Sequence, residues 1–315
     1  MRPRAPGRQR TPWLAVAIVL TAATAWGLSG CSTATRSSPP TSTPVGRSTS
    51  PDATTPRTVV TMSRLPLVDS SRPVLSDGVV LAAQRDLPTI VWTPAGAGPF
   101  PVVVFVHGYD TGPLDYRRFC STLASAGYVV AAPSFPLEDP ARGFPLDRTH
   151  LSDEAADVAF VISAVDRPGA QRVDRSRVAV VGHSDGADVA LLVGYGAGTV
   201  DPRVGAVVAD APDPMSATIV PSPVPLLLVQ GTSDSVVPYS ASQTVFGQID
   251  APVSYLSLIG ADHLPPIAGG TPWTPVLDAA VSRFLDASVT HRGPGVDSLA
   301  AELSRSPLVR FETKG

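Results

Sequence analysis

The chain has 315 residues, of which 43% are hydrophobic and 16% are charged, and its formal net charge at pH 7 is −3. Residues 1–30 contain four arginines and no acidic residue, so the rest of the chain is more acidic still. This balance excludes nucleic acid as a partner. The sequence also lacks a His-rich ligand cluster and a phosphate-cradling glycine loop, so it predicts neither a metal nor an organic cofactor.

The amino terminus resembles a bacterial lipoprotein signal. Four arginines precede an apolar run over 13–28, and the small residues Ser29 and Gly30 then lead to Cys31. An uncleaved anchor helix is the alternative, but the run is shorter than the roughly 20 residues that span a bilayer. We therefore expect a signal peptide over 1–30, lipidation of Cys31, and a protein anchored to the outer face of the cell membrane.

Residues 31–58 are mostly Ser, Thr, Pro, Ala and Gly, which predicts a disordered tether. A single domain is expected over 59–289, with a C-terminal tail over 290–315. Apolar runs and helical periodicity alternate along the domain, which predicts an α/β fold with a largely parallel, doubly wound sheet and little or no lid. Strands are predicted at 89–93, 101–106, 128–132, 178–182, 204–210, 224–230 and 253–259, and helices at 114–126, 151–166, 185–195, 238–249 and 274–288.

The strand at 101–106 runs into a His107-Gly108 turn, which we interpret as structural for the histidine itself. The backbone N–H of Tyr109 after this turn is a candidate oxyanion donor. Cys120 lies in the following helical pattern and is expected in the core, unpaired, since lipidation would consume Cys31. The carboxylates at the start of the helix at 151–166 are predicted to form a solvated first turn.

The sequence G-H-S-D-G at 182–186 joins an apolar strand directly to a helical pattern. This context predicts a nucleophile elbow, with Ser184 in a strained backbone conformation and glycines keeping the turn open. The N–H of Asp185, at the helix N-terminus, is the second candidate oxyanion donor. The Asp185 carboxylate would either repel anionic substrates or turn outward as a helix N-terminal acid.

The base and the acid are expected on later loops of the same sheet edge. Of the five histidines, His263 follows the last predicted strand, and it is the candidate general base. Asp234 follows the preceding strand and would fix the tautomer of His263. Asp210 and Asp213 follow an earlier strand and stay open as alternative acids.

Together these segments resemble α/β-hydrolases of actinobacteria that are related to dienelactone hydrolases, chlorophyllases and platelet-activating-factor acetylhydrolases. The resemblance spans about 65–287. It is carried by the segments at 86–94, 99–101, 126–133, 182–187, 231–234 and 260–266. Dienelactone hydrolases use a cysteine nucleophile, whereas position 184 is serine, which argues against lactone opening of that type.

The sequence thus predicts a serine hydrolase that cleaves carboxylic esters of small molecules or lipids, acting as a monomer. Two other functions stay open, namely a non-catalytic binding lipoprotein on the same fold and a hydrolase of amide bonds. The native ester is not predicted, because this branch of the superfamily resembles enzymes that act on quite different esters.

Overall fold

The computed structural model describes residues 59–165, 173–213, 216–250, 252–293 and 295–314. The predicted signal peptide, the tether and Cys31 lie outside these residues. Within them, no helix has the length and apolar character needed to cross a bilayer.

In the described residues, nine strands form one sheet, and most of them are parallel. The strands are β1 (Val60–Asp69), β2 (Val74–Ser76), β3 (Val79–Ala82), β4 (Arg85–Pro94), β5 (Phe100–Val106), β6 (Val129–Pro133), β7 (Val173–His183), β8 (Val204–Asp210), β9 (Leu226–Gly231), β10 (Val253–Leu258) and β11 (Val309–Lys314). From edge to edge the order in the sheet is β1, β4, β6, β5, β7, β8, β9, β10, β11. Strands β5 to β10 run parallel to one another, whereas β1, β4 and β11 pair antiparallel with their neighbours. The short hairpin β2–β3 stands apart.

Helices cover both faces of the sheet, and this explains why the central strands read as continuous apolar runs. In β5, Val104 packs into the core cluster on one face and Phe105 into the cluster on the other. The helices are α1 (Arg117–Ser125), α2 (Leu151–Ala164), α3 (Asp185–Tyr195), α4 (Tyr239–Gln248), α5 (Pro265–Ala268), α6 (Thr274–Leu285) and α7 (Val296–Leu303), with a 3₁₀ turn at Pro140–Arg142 and a π-helical turn at Asp286–Thr290. Helices α2, α3 and α4 cover the first face, and α1, α6 and α7 cover the second. These elements confirm the predicted α/β-hydrolase fold.

The sheet continues into the segment that the sequence marks as a tail. Strand β11 pairs antiparallel with β10 over its whole length, from Val253 opposite Lys314 to Leu258 opposite Val309. Only Val309 of this strand is buried, so its pattern looks like that of a solvated segment although its backbone closes the sheet edge. The described part of the tail therefore belongs to the hydrolase domain.

Helix α2 departs from the predicted solvated first turn. Glu154 and Asp157 are buried. The Asp157 carboxylate accepts hydrogen bonds from Arg85, by Nε at 2.7 Å and Nη2 at 2.5 Å, and from Nη2 of Arg72 at 2.5 Å. The prediction was wrong for these two acids: Arg72, in the turn after β1, and Arg85 of β4 pair with Asp157, and Glu154 is buried as well.

Candidate active site

Ser184 occupies the turn between β7 and α3, with φ of +57° and ψ of −128°. This left-handed conformation is costly for a residue with a side chain. The two glycines of the motif permit the turn: a Cβ on Gly182 would lie 1.9 Å from the carbonyl oxygen of Gly186, and a Cβ on Gly186 would lie 2.2 Å from that of Val106. The strained strand-to-helix turn predicted from the motif is therefore present.

His263 and Asp234 meet at the carboxyl edge of the sheet. Nδ1 of His263 lies 2.8 Å from Oδ2 of Asp234, whose side chain is fully buried. The same carboxylate accepts from Nε2 of Gln230 at 2.7 Å and from the backbone N–H groups of Val236 at 2.9 Å and Val237 at 2.8 Å. An acceptor surrounded in this way requires a proton on Nδ1 of His263, which leaves Nε2 of the ring as a base.

A second histidine supports the first. The ring of His183 lies 4.7 Å from that of His263, centroid to centroid, and its Nε2 lies 3.2 Å from the His263 carbonyl oxygen. Its Nδ1 lies 3.0 Å from the hydroxyl of Tyr116, which accepts from the Gly108 N–H at 3.3 Å. Burial, followed by the neighbouring His263, lowers the pKa of His183 to about 3, so the ring is neutral. His183 and Tyr116 therefore join the loop after β5 to the loop that carries His263.

The loop after β5 adjoins Ser184. A Cβ on Gly108 would lie 3.0 Å from Cβ of Ser184. His107 is buried, with Nδ1 3.0 Å from the Gly108 carbonyl oxygen and Nε2 accepting from a backbone N–H at 3.2 Å, as its structural interpretation predicts. In the described part of the chain, the N–H groups of Tyr109 and Asp185 donate to no protein acceptor.

The two alternative acids have other contacts. The Asp210 carbonyl oxygen accepts from the Ser184 N–H at 2.9 Å, and burial, together with the charge of Asp234, raises the pKa of the Asp210 carboxyl well above its usual range. Asp213 accepts from Nη2 of Arg148 at 3.0 Å. Of the three candidates, the structure brings Asp234 to His263.

The Asp185 side chain does not turn outward as a helix N-terminal acid. It turns into the protein, where Arg148 donates two hydrogen bonds to its carboxylate, from Nε to Oδ2 at 2.9 Å and from Nη2 to Oδ1 at 2.5 Å. Burial raises the pKa of Asp185, and the Arg148 guanidinium opposes that rise. Sequence reasoning missed Arg148, because no local pattern marks a partner 37 residues away.

A cavity of about 320 Å³ opens at the same edge of the sheet. Leu114 and Pro113, just after the Gly108 turn, form one wall, and the 3₁₀ turn at Pro140–Arg142 forms another. The two walls approach each other closely, because a Cβ on Gly112 would lie 2.8 Å from Oδ2 of Asp139. The loop after β5, which adjoins Ser184, therefore also lines the cavity. The described residues between β8 and β9 contain no helix.

The model of the family described as Chlorophyllase matches residues 77–234, half of the chain. The chain belongs to the chlorophyllase family. The match runs through Ser184 and ends at Asp234. Similar curated proteins include chlorophyllase-1 of Citrus sinensis, 35% identical over 38% of this chain and 37% of that protein, and esterase FrsA of Yersinia enterocolitica, 32% identical over 38% of this chain and 27% of that protein. The aligned part of the chain thus spans well under half the length of these relatives.

A ferulic acid esterase from Streptomyces cinnamoneus has a similar structure. It aligns with a TM-score of 0.65 over 82% of this chain and 98% of that one, at 21% identity. This likeness, at low identity, shows the α/β-hydrolase fold.

Proposed function

We propose that this chlorophyllase-family protein is a serine carboxylesterase that forms an acyl-enzyme on Ser184. The observation that carries the proposal is the hydrogen bond between His263 and Asp234, made at the sheet edge where Ser184 stands in its strained turn. A binding protein without catalysis would have no use for a buried carboxylate that fixes the tautomer of a partly exposed histidine.

In the proposed acyl transfer, each of these side chains has one role. Nε2 of His263 takes the proton of Ser184 as its Oγ attacks the ester carbonyl carbon, and Asp234 stabilises the resulting imidazolium. The carbonyl oxygen becomes an oxyanion and accepts from the free N–H groups of Tyr109 and Asp185, the second at the positive end of α3. His263 then protonates the departing alcohol, and water, activated by His263, releases the acid from Ser184.

The substrate is a carboxylic ester of a small molecule or a lipid. The printed names of the relatives, chlorophyllase and esterase, and that of the ferulic acid esterase all fit ester cleavage. We assign one half of such a substrate to the cavity that the loop after β5 helps to line, where Ile90, Pro113 and Leu114 supply apolar surface.

Hydrolysis of p-nitrophenyl acetate, butyrate, octanoate and palmitate by the purified domain from residue 59 onward tests the proposal. Ser184→Ala and His263→Ala should each lower turnover by about 10⁴- to 10⁶-fold. Circular dichroism and thermal melting confirm that the variants are folded. A folded wild type as inert as both variants would contradict the proposal, and matched p-nitroanilides would then distinguish an amide hydrolase from a binding protein.

We further propose that Cys31 carries a lipid that holds the enzyme at the outer face of the cell membrane. The arginines, the apolar run and the small residues before Cys31 support this. Full-length protein expressed in a bacterium should incorporate radiolabelled palmitate and sediment with membranes, and Cys31→Ser should do neither. A soluble, unlabelled wild type would contradict the anchor.

A further inference from the structure

The residue directly after the nucleophile combines two opposing features. Asp185 begins α3, so its backbone N–H points out of the helix at the place where the proposed mechanism needs an oxyanion donor. Its side chain is a carboxylate that is only 3% exposed. An ionised carboxylate on the residue that supplies this N–H opposes the negative charge that the N–H is meant to stabilise, and burial strengthens that repulsion.

Other acidic residues lie close to this carboxylate. Oxygens of Asp185, Asp188 and Asp213 lie within 4.8 Å of one another. Glu138 is fully buried nearby, and neither of its carboxyl oxygens has a hydrogen-bond partner in the described residues. The cation that contacts this cluster is Arg148, which binds Asp185 with two nitrogens and Asp213 with one of them.

We propose that Arg148 is a positioning residue of the esterase: it cancels the charge of Asp185 and fixes the first turn of α3, so that the Asp185 N–H can hold the oxyanion. This inference rests on the proposed function. The two-pronged contact suits the role, because a planar guanidinium holds a carboxylate in one orientation as well as neutralising it. Arg148 reaches the reaction only through Asp185.

The chain offers a matched control. Arg203 donates to Asp201 with the same two nitrogens, Nε to Oδ1 at 2.9 Å and Nη2 to Oδ2 at 2.5 Å. The side chains of the two pairs are similarly exposed, 39% for Arg203 and 5% for Asp201 against 51% for Arg148 and 3% for Asp185. Arg203 precedes β8, at the amino edge of the sheet and away from Ser184. A purely structural loss of such a pair should therefore look alike at both places.

The experiment measures kcat and KM for p-nitrophenyl butyrate in four variants. Arg148→Gln should lower kcat by about 10- to 100-fold with little change in KM, because the Asp185 charge, no longer neutralised by Arg148, destabilises the transition state. Asp185→Asn keeps the backbone N–H and removes the charge, so adding Arg148→Gln to it should change kcat by only about twofold. Arg203→Gln should leave kcat unchanged.

The pH profile gives a second, independent readout. Burial raises the pKa of Asp185 and the Arg148 guanidinium opposes that rise, so removing Arg148 moves this pKa further upward and leaves the carboxylate charge uncompensated as pH rises. The rate ratio of wild type to Arg148→Gln should therefore grow with pH. The charged or titratable groups that act on Asp185 or are acted on by it are Arg148, Asp213, His263, Glu138, Asp188 and Glu154.

Every outcome of these measurements either supports or overturns the proposed role of Arg148. Equal losses from Arg148→Gln in both backgrounds, a ratio that does not change with pH, or an equal loss from Arg203→Gln would overturn the inference. An active wild type with an unaffected Arg148→Gln variant overturns this inference alone. An inert, folded wild type overturns the proposed function, and this inference with it.

Discussion

Replacing Asp234 by Asn tests how the structure sets the proton on His263. Four donors converge on the Asp234 carboxylate, namely Nδ1 of His263, Nε2 of Gln230 and two backbone N–H groups. An asparagine oxygen can keep the two backbone donors, but its NH₂ group then faces the Gln230 amide and the His263 N–H. His263 relieves the second clash by moving its proton to Nε2, where the ring can no longer accept the proton of Ser184.

The expected loss is about 10⁴-fold in kcat, which corresponds to about 5.5 kcal/mol of transition-state stabilisation. Steady-state hydrolysis of p-nitrophenyl butyrate measures it, and thermal melting confirms folding. Asp210→Asn is the matched control, since Asp210 is also buried and acidic but does not contact His263, and it should stay close to wild type. A large loss in Asp210→Asn together with an active Asp234→Asn would refute the reasoning and move the acid to the loop after β8.

Three further changes test other parts of the structure. Gly186→Ala should destabilise the fold by about 3 kcal/mol and abolish activity, because the new Cβ would meet a backbone oxygen of β5. Gly247→Ala has open space around its Cβ and should stabilise α4 by about 0.5–1 kcal/mol. Denaturant titrations measure both changes, and similar values would contradict the close approach of Gly186 to β5. Burial raises the pKa of Glu138 from 4.5 to about 8, so between these pH values its carboxyl is ionised in the unfolded chain but neutral in the folded one, and stability falls as pH rises. Glu138→Gln should therefore raise the melting temperature more at pH 8 than at pH 5, and an equal rise at both pH values would contradict the raised pKa. Leu114→Trp should fill the cavity and so raise KM for long acyl esters while leaving KM for the acetate unchanged. Val80→Trp on the exposed hairpin should change neither value, and an unchanged chain-length profile in Leu114→Trp would place the acyl group elsewhere.

The elements that the sequence predicted best are those whose residues are buried on both faces. Strands β5, β7 and β8 are central in the sheet, so their apolar runs are long and unambiguous. Ser184, Asp234 and His263 follow strand ends, and parallel strands bring their carboxyl ends to one edge, so chain order alone placed these residues together.

What the sequence did not reveal depends on contacts between distant segments. Strand β11 buries little apolar surface, and only its pairing with β10 makes it a strand. Arg148 lies in a polar loop, and the support that His183 gives to His263 crosses 80 residues of chain. Glu154 looked solvated because it is an acid in the first turn of a helix, whereas the structure buries it. Such ion pairs and buried acids leave no periodic pattern in the chain.

The most direct test of the central claim is covalent labelling of the nucleophile. A fluorophosphonate should modify the folded domain once, tandem mass spectrometry should place the adduct on Ser184, and Ser184→Ala should not react. Labelling of His263→Ala should be slowed strongly, because the serine then lacks its base. An adduct on another residue, or an unlabelled protein that still hydrolyses esters, would contradict a Ser184 acyl-enzyme.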